Sequence, residues 1–463
     1  MELFIFDSLH KKRVIFKPID KDEVKIYVCG PTVYDDPHLG NARSIVIYDV
    51  LFRIMQHIYG QHSVKYVRNI TDIDDKIIER AKQLGISIGE LTMQTTKNFH
   101  QDTEYLGCLS PTIEPKATDN LPQMIAIIEK LITAGFAYIE NGDVYFEVVK
   151  SKDYFKLSNR LLQDAQIGNR IQNNSAKINP EDFVLWKSID SADATYDSPW
   201  GKGRPGWHIE CSAMSHRYLG ENFDIHGGGA DLIFPHHTNE IAQSTAAFPG
   251  SKFANYWVHN GFLTVEGKKM SKSLGNFITV KDLREKGVHG EVLRLLLLST
   301  HYRKPLDYNN KALADAKKML EFWHKVIDGV ETNAFVAQDS RLFIQEVLLD
   351  DLNTPLAIKK INDLAKMAHN ANDLVEKSKY VNQLVTNAQF LGFFQKQLHS
   401  SKVQDDVEAI SNDIQNIIEA RIIAKREKNW LKADSLREQA RILGVSLIDK
   451  ADGTIAWQKI DEL

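Results

Sequence analysis

Two apolar segments joined by a helical repeat constrain the fold of this chain more than any other feature. Residues 24–29 alternate apolar and less apolar side chains, as a strand does, and Gly30-Pro31 ends the pattern. Residues 64–70 have the character of a second strand. Between them, apolar side chains recur at helical spacing, and Gly60 fits the helix end: Ile47, Val50, Leu51, Ile54 and Ile58. This β-α-β order predicts a parallel sheet and an α/β fold.

Small and polar residues occupy the ends of these predicted elements. Cys29 lies at the carboxyl end of the first strand, the edge at which open α/β sheets bind ligands. His38-Leu39-Gly40-Asn41 lies at the start of the helix, where backbone N–H groups can bind a phosphate. Gly40 has no side chain and would let a nucleotide approach closely. Alone, this tetrapeptide is a weak signal and favours the alternative of a turn with a surface histidine.

Residues 207–240 contain three potential metal ligands, Cys211, His236 and Glu240. Pro235 suits the first position of a helix. A helix that begins there would place His236 and Glu240 one turn apart on the same face. These residue types form part of a set that Zn²⁺ accepts.

Cys29 is our candidate for the fourth ligand, although it is distant in the sequence. His237 would point about 100° away from its neighbour on a helix, so we leave it out of the set. Cys108 has apolar neighbours and is expected to be a small core residue. Because the chain has no CxxC pair, spacing alone favours the alternative of two buried thiols beside a surface helix.

Two glycine-rich segments indicate further ligand contacts. Residues 226–229, His-Gly-Gly-Gly, follow a strand-like segment and suggest a backbone packed closely against a ligand, with a flexible loop as the alternative. Trp207 could close an amino-acid pocket or could be a core residue. Residues 266–276 contain three lysines and two serines after a predicted strand. Such a loop suits neutralisation of a departing pyrophosphate, and a solvated charge run is the alternative.

Composition excludes several classes of protein. With 463 residues, the chain is long enough for about three domains. Three cysteines argue against a disulfide framework and for a reducing compartment. No apolar run approaches a membrane span, and no signal peptide is predicted. The net charge of −4 excludes a generally basic nucleic-acid coat but allows a local basic surface.

The second half of the chain is predicted to be mostly helical, from about residue 310 to residue 440. Residues 421–441 contain seven Lys or Arg against three acidic residues, with Trp430 among them. Basic groups with an aromatic ring suit contact with RNA, and a solvated helix face is the alternative. The tail after residue 450 predicts a turn and a small hairpin. Residues 157–198 are polar without a clear period and are predicted to belong to a surface insertion.

Several of these motifs together resemble class I aminoacyl-tRNA synthetases, and among them the cysteinyl-tRNA synthetases. Residues 269–273 match the KMSKS signature letter for letter, and residues 38–41 resemble the HIGH signature with Asn41 in place of its last histidine. Other segments resemble the cysteine-specific members: residues 29–34, 69–76, 207–212 and 226–240. The resemblance implies a Rossmann-type parallel-sheet catalytic domain with an insertion, followed by a mostly α-helical C-terminal domain.

The resemblance also implies domain boundaries. Residues 1–112 and 207–262 would form the catalytic domain, and residues 113–206 the connective insertion. Residues 263–315 would carry the lysine loop and contacts to the tRNA stem. Residues 316–463 would form a helical anticodon-binding domain with a small C-terminal tail.

The implied activity is ATP-dependent ligation of L-cysteine to its tRNA through a cysteinyl-adenylate, with Mg²⁺ accompanying ATP. An ATP-dependent cysteine ligase that acts on a small-molecule amine is the alternative, since such enzymes share the catalytic half. A zinc ion would select the cysteine thiolate, without a separate editing domain. The enzyme would be cytoplasmic and monomeric, with no membrane partner.

Residue roles follow from the resemblance. The zinc ligands would be Cys29, Cys211, His236 and Glu240. Thr71 and Trp207 would line the cysteine pocket, and Asp231 would bind either the ammonium group or the ribose. The ATP-binding and catalytic residues would be His38, Gly40, Asn41, Gly227, Gly228, Lys269 and Lys272.

Overall fold

A four-stranded parallel sheet forms the centre of the computed structural model. The structure describes residues 2–158, 177–189, 194–271, 274–328, 330, 343–395, 417, 420–421, 423–425, 429–442, 445–449 and 455–459. The sheet has strand order β10-β9-β3-β4. Its strands are β3 (Val24–Val28), β4 (Val64–Arg68), β9 (Asn222–Gly229) and β10 (Phe253–Asn260). All three neighbouring pairs are parallel, as the β-α-β pattern predicts.

Helices cover this sheet and follow its strands in the chain. The α1 helix (Leu39–Tyr59) connects β3 to β4 and ends at Gly60, as predicted. Then come α2 (Asp75–Leu84), α3 (Ile88–Tyr105) and α4 (Leu121–Thr133). Flanking β9 are α5 (Trp207–Leu219) and α6 (Thr238–Ala247). The apolar faces of α4, α5 and α6 share one core with the strands. In this core, Tyr27, Val67 and Trp257 have no exposed surface.

The predicted insertion contains an antiparallel sheet of its own. Its strands, in the order β5-β6-β7-β8, are β5 (Ala137–Glu140), β6 (Asp143–Phe146), β7 (Phe183–Ser188) and β8 (Gly203–Pro205). The β7 strand lies within the segment for which no period was apparent. Leu185 and Trp186 of β7 are fully buried, so this part is a structured strand and not only a polar surface segment.

Shorter elements complete this unit, which runs from Met1 to Phe393. The β1 (Phe4–Asp7) and β2 (Lys12–Ile15) strands form an antiparallel pair. A three-stranded sheet contains β11 (Leu263–Val265), β12 (Lys268–Lys269) and β13 (Leu306–Tyr308). The remaining helices are α7 (Val280–Glu285), α8 (Gly290–Leu298), α9 (Asn310–Ile327), α10 (Gln345–Leu348), α11 (Thr354–His369) and α12 (Leu374–Phe390).

The second unit runs from Phe394 to Leu463. Its described residues include α13 (Trp430–Ile442) and an antiparallel hairpin of β14 (Val445–Asp449) and β15 (Ile455–Lys459). The hairpin matches the predicted tail. In the parts of both units that the structure describes, the helices are too short or too polar to cross a membrane.

Candidate active site and metal pocket

Four predicted metal ligands converge at the carboxyl end of the parallel sheet. Cys29 directly follows β3, Cys211 is in α5, His236 precedes α6 and Glu240 is in its first turn. One ligand atom from each of the four residues lies within 4.8 Å of every other. We call these four residues the metal pocket.

The distances inside the metal pocket fit ligands that share one ion. The Sγ atoms of Cys29 and Cys211 lie 3.6 Å apart. Two sulfur ligands of a tetrahedral zinc ion, each about 2.3 Å from it, would lie roughly 3.8 Å apart. The His236 Nε2 and Glu240 Oε1 atoms are 3.0 Å apart, and both residues are buried. The four side chains together offer the thiolate, imidazole and carboxylate donors that zinc accepts.

The charges of one carboxylate and one imidazole in the metal pocket stabilise each other. Burial alone would raise the pKa of Glu240, but the neighbouring His226 and His236 lower it to about 2. Burial alone would lower the pKa of His236, but the Glu240 carboxylate and Cys211 raise it to about 10. Glu240 is therefore a buried anion whose charge an imidazolium balances.

The two thiols have opposite pKa shifts. The hydrogen bond from Cys29 lowers the pKa of Cys211 to about 6. Burial and the adjacent Cys211 raise the pKa of Cys29 well above its ordinary value. The pair therefore favours one thiolate, the form that binds metal ions.

Additional histidines surround the metal pocket, and the expectation that His237 points away from it was wrong. His237 Nε2 lies 3.4 Å from Cys29 Sγ. The backbone of Phe234 is extended, with φ −141° and ψ 130°, whereas His237 directly before α6 is helical. The two histidines diverge as on a helix, but Cys29 lies within reach of both. His226, which the sequence-based ligand set omitted, lies with its Nε2 2.8 Å from Glu240 Oε2.

These two histidines also complete a second group of potential ligands. One ligand atom each from Cys29, His226, His237 and Glu240 lies within 4.8 Å of the others. His237 Nδ1 lies 2.8 Å from His259 Nε2, and burial lowers the pKa of His259 to about 3. From the sequence, we considered Cys29, His237 and Glu240 as ligands but His226 only as part of the glycine-rich segment, because a position on a strand gives no information on distances through space.

Trp207 and Thr71 are placed differently relative to the metal pocket. The Trp207 ring stacks on the His236 ring, with centroids 4.1 Å apart, and is 39% exposed. Thr71 is buried and donates a 2.9 Å hydrogen bond to Glu210 Oε2. Its Oγ1 also accepts one from Asn69 Nδ2 at 3.1 Å. Trp207 thus forms an open wall of the site, whereas the Thr71 hydroxyl is held by two neighbours.

His38 and Asn41 form a reciprocal cap at the start of α1. The Asn41 backbone N–H donates to His38 Nδ1 at 3.1 Å, and the His38 N–H donates to Asn41 Oδ1 at 3.3 Å. Asparagine therefore has a definite structural role at the position where the class signature has histidine. A Cβ atom on Gly40 would lie 2.9 Å from the His38 ring and 3.7 Å from Met270 Cε. The helix start and the lysine-containing segment are thus in close proximity.

Gly227 and Gly228 belong to β9 and are buried. A Cβ atom on Gly227 would lie 2.4 Å from the Tyr48 ring, and one on Gly228 would lie 2.8 Å from the His237 ring. Both glycines are therefore required because protein side chains pack against them. The glycine pattern in the sequence predicts that a ligand packs there instead. Asp231 follows β9 in a short 3-10 turn and is exposed.

The lysine loop, residues 266–276, leaves the three-stranded sheet at β12. Lys269 pairs with Thr264 of β11, and its side chain is exposed. Asn276 closes the loop because its Oδ1 accepts from the Ser271 N–H at 2.9 Å and its Nδ2 donates to the Lys269 carbonyl at 3.2 Å. Lys272 lies outside the described residues.

Comparison with known proteins gives a consistent result. A family model described as the tRNA synthetases class I (C) catalytic domain matches residues 15–318, and one described as the DALR domain matches residues 344–395. A cysteine--tRNA ligase from Rickettsia felis is 54% identical over 462 residues, which is 99% of each chain. One from Rickettsia bellii is also 54% identical, over 99% of this chain and 100% of its own. This chain belongs to the cysteine–tRNA ligase family.

Structural comparison extends this relationship to the class I synthetase fold. Mycobacterium tuberculosis methionyl-tRNA synthetase, solved in complex with methionyl-adenylate, aligns with a TM-score of 0.55 at 15% identity. The alignment covers 80% of this chain and 89% of the other. At this identity the likeness concerns the fold alone. It agrees with the parallel-sheet catalytic domain and helical C-terminal region expected for a cysteine–tRNA ligase.

The basic segment in the second unit is only partly exposed. Arg421 is buried, and its Nε donates to the Ala433 carbonyl at 3.1 Å. Lys432 and Arg437 are exposed. The prediction of a basic surface therefore has to exclude Arg421, which stabilises the fold of this unit instead. The side chains of Trp430 and Arg441 lie outside the described part.

Proposed function

We propose that this chain ligates L-cysteine to its tRNA with ATP through a cysteinyl-adenylate, and that a zinc ion in the metal pocket selects the substrate. Its membership in the cysteine–tRNA ligase family supports tRNA charging with cysteine. The observation that carries the zinc proposal is the convergence of two thiols, an imidazole and a carboxylate within 4.8 Å.

The donor set explains why the site would prefer cysteine to serine. A pocket that measures size alone rejects a near-isostere by only about 100-fold. A zinc ion bound by Cys29, Cys211, His236 and Glu240 would add preference for a soft thiolate over a hydroxyl group. The substrate carboxylate reacts at the other end of the amino acid, so we assign the pocket to selection.

Protein groups around the metal pocket would complete amino-acid binding. The exposed face of Trp207 would cover the bound cysteine, since its other face stacks on His236. Thr71 would define the far wall, with its hydroxyl oriented by Glu210 and Asn69. Asp231, exposed at the carboxyl end of β9, would bind the ammonium group or the ribose.

ATP would bind between the start of α1 and the lysine loop. His38 would contact the phosphates with Asn41 fixing its orientation through the reciprocal cap, and Gly40 would keep the approach open. Lys269 and Lys272 would stabilise the departing pyrophosphate, with Mg²⁺ accompanying ATP. Gly227 and Gly228 would present the backbone of β9 to the nucleotide.

The finer domain assignment also remains a proposal. Residues 1–112 and 207–262 would form the catalytic domain, residues 113–206 the insertion, and residues 263–315 the lysine-loop and stem-contact region. Residues 316–463 would contain the anticodon-binding domain. We expect a cytoplasmic monomer.

Two assays with the purified, zinc-loaded protein test this proposal. Cysteine-dependent exchange of pyrophosphate into ATP should occur without tRNA, and serine should support far slower exchange. In the presence of total tRNA, radiolabelled cysteine should attach to a single tRNA species. Exchange without charging would favour the small-molecule ligase, and serine activated nearly as well as cysteine would contradict selection by zinc.

A further inference from the structure

Arg43 is a fully buried cation near the start of the helix that carries His38. It lies in the second turn of α1, and its side chain has no exposed surface. Its contacts within the described part of the chain are to backbone carbonyl oxygens and include no carboxylate. Burial lowers the pKa of Arg43 to about 10, which leaves it protonated near neutral pH. Burial of such a charge is costly, so these carbonyl contacts have to offset it.

The five carbonyl groups belong to two separate segments. Arg43 Nη1 donates to the carbonyls of Gly261 at 2.8 Å and Phe262 at 2.7 Å. Arg43 Nη2 donates to the Lys304 carbonyl at 2.6 Å, with longer contacts to His301 and Tyr302 at 3.3 and 3.4 Å. The first segment leads into β11 and the second into β13. One guanidinium group therefore joins the amino-terminal ends of both strands to α1.

These two strands support the lysine loop. The β11 and β13 strands pair in parallel, and Thr264 of β11 pairs with Lys269 of β12. Directly after β12, the Met270 side chain lies close to the start of α1, beside Gly40. The position of Lys269 relative to α1 thus depends on where β11 begins, which is the point that Arg43 holds.

We propose that Arg43 is a positioning residue that fixes the strand pair carrying Lys269 relative to the helix start carrying His38. This inference rests on the proposed function, in which both residues act on one ATP molecule. Lysine cannot replace the arginine because its ammonium group lacks the planar fork that reaches two segments at once. Displacement of a catalytic group by about 1 Å can reduce a rate on the order of 100-fold.

The test compares Arg43→Lys with the wild-type holoenzyme in pyrophosphate exchange. We expect kcat to fall by about 10- to 100-fold, because Lys269 is displaced. The KM for cysteine should stay within about twofold, because the amino-acid pocket is unchanged. Zinc content should match wild type. Hydrogen exchange of the backbone of residues 263–270 should become faster.

Arg53→Lys is the matched control on the same helix. Arg53 donates to Asp49 Oδ2 at 2.8 Å and to the Gly107 carbonyl at 2.9 Å. It lies ten residues further along α1, roughly 15 Å away at 1.5 Å per residue. Loss of the contacts of this partly buried arginine should lower thermal stability while leaving kcat and exchange of residues 263–270 at wild-type values.

Gly261→Ala perturbs the same contacts without removing Arg43. If Arg43→Lys does not fold, this variant tests whether the contacts of Arg43 position Lys269. A Cβ atom there would lie 2.7 Å from the Lys304 carbonyl and would separate the two segments that the guanidinium joins. The same fall in kcat with unchanged KM for cysteine is expected.

Three results would overturn the inference. The first is that Arg43→Lys has the same kcat as Arg53→Lys. If Arg43→Lys does not fold, the same comparison is made with Gly261→Ala. The second is a fall in kcat accompanied by zinc loss or a higher KM for cysteine. The third is unchanged hydrogen exchange in residues 263–270. Absence of exchange activity in the wild-type protein would instead contradict the proposed function itself.

Discussion

The metal pocket and the lysine loop lie in the same unit but are built in opposite ways. In the metal pocket, Cys211, His236 and Glu240 are almost fully buried, with ligand atoms within 4.8 Å of one another. The lysine side chains at positions 268 and 269 are exposed, and Asn276 supplies the loop's hydrogen bonds to Ser271 and Lys269. One region has ligand atoms fixed before substrate arrives, and the other presents charge on a short, exposed hairpin.

This difference suits the two chemical tasks that we propose for these regions. Discrimination between a thiol and a hydroxyl group needs ligands that cannot adjust to the wrong substrate, and burial with mutual contacts restricts such adjustment. Stabilisation of a departing pyrophosphate needs charge that acts when negative charge develops and that then releases the product. Damage to the metal pocket should therefore affect zinc and cysteine together, whereas damage to the loop should affect the rate alone.

The largest effect is expected from Cys211→Ser, which removes one thiolate from the metal pocket. Changes outside the immediate ligands typically lower metal affinity by roughly 10- to 100-fold, so loss of a ligand should exceed this range. Zinc content measured by mass spectrometry and cysteine-dependent pyrophosphate exchange should fall together, by more than about 100-fold for the exchange.

The matched control is Cys108→Ser, because Cys108 is the third cysteine and contacts Arg294 instead. It should retain zinc and activity. Full zinc binding by Cys211→Ser would remove Cys211 from the ligand set.

The next largest effect is expected from Lys269→Ala in the lysine loop. Loss of one group that stabilises transition-state charge typically lowers kcat by roughly 100- to 1,000-fold. Because the side chain is exposed, the thermal midpoint and zinc content should not change. Lys268→Ala is the control, since Lys268 is equally exposed and precedes Lys269 in β12. Equal losses of kcat in both variants would indicate that the loop acts through its overall positive charge and that Lys269 has no specific role.

A smaller effect is expected from His226→Phe, which removes the hydrogen bond to Glu240. The His226 ring stacks on Trp257 with centroids 4.6 Å apart, and phenylalanine can keep this packing. Loss of the donor should lower zinc affinity by roughly 10- to 100-fold, measured by competition with a chelator. His226→Gln retains an N–H donor and should recover part of the affinity. Unchanged affinity in both variants would show that Glu240 needs no support from His226.

The smallest effect is expected from Asp102→Asn, near the helix that follows the lysine loop. Asp102 in α3 is buried, and its Oδ1 lies 3.0 Å from Arg284 Nη1 of α7. Burial raises the pKa of Asp102 to about 6 despite this arginine. The folded chain holds the proton of Asp102 more strongly than the unfolded chain does. The free energy of unfolding therefore decreases as pH rises from about 4 to above 6, because Asp102 ionises.

Thermal unfolding at pH 8 and pH 5 checks this sign. Asp102→Asn should be more stable than wild type at pH 8, by roughly 1 to 3 kcal/mol in the free energy of unfolding, and by about half as much at pH 5. Glu104→Gln alters an exposed carboxylate of the same helix and should show no comparable dependence on pH. Lower stability of Asp102→Asn at pH 8 would mean that the attraction to Arg284 outweighs the cost of burial.

Much of the fold could be predicted because its signals are local. Strand alternation in residues 24–29, the helical repeat up to Gly60 and the second strand predicted parallel pairing, which the structure confirms. The predicted one-turn spacing of His236 and Glu240 is confirmed, since their side chains lie 3.0 Å apart. The extended backbone of Phe234 directly before Pro235 was not predicted, because it depends on packing and not on a proline preference.

The sequence by itself determined which chemical groups the protein carries and the period of its main elements: two thiols, a histidine and a carboxylate, a lysine-rich loop and a β-α-β unit. Tertiary structure alone decided which groups meet. It brought Cys29 within 3.6 Å of Cys211 across 182 residues of sequence, placed His237 against Cys29, and joined Arg43 to carbonyl groups more than 200 residues away. Periodicity reports the face of an element on which a side chain lies. Ligand binding and hydrogen bonding depend on distances through space, which chain topology and packing set.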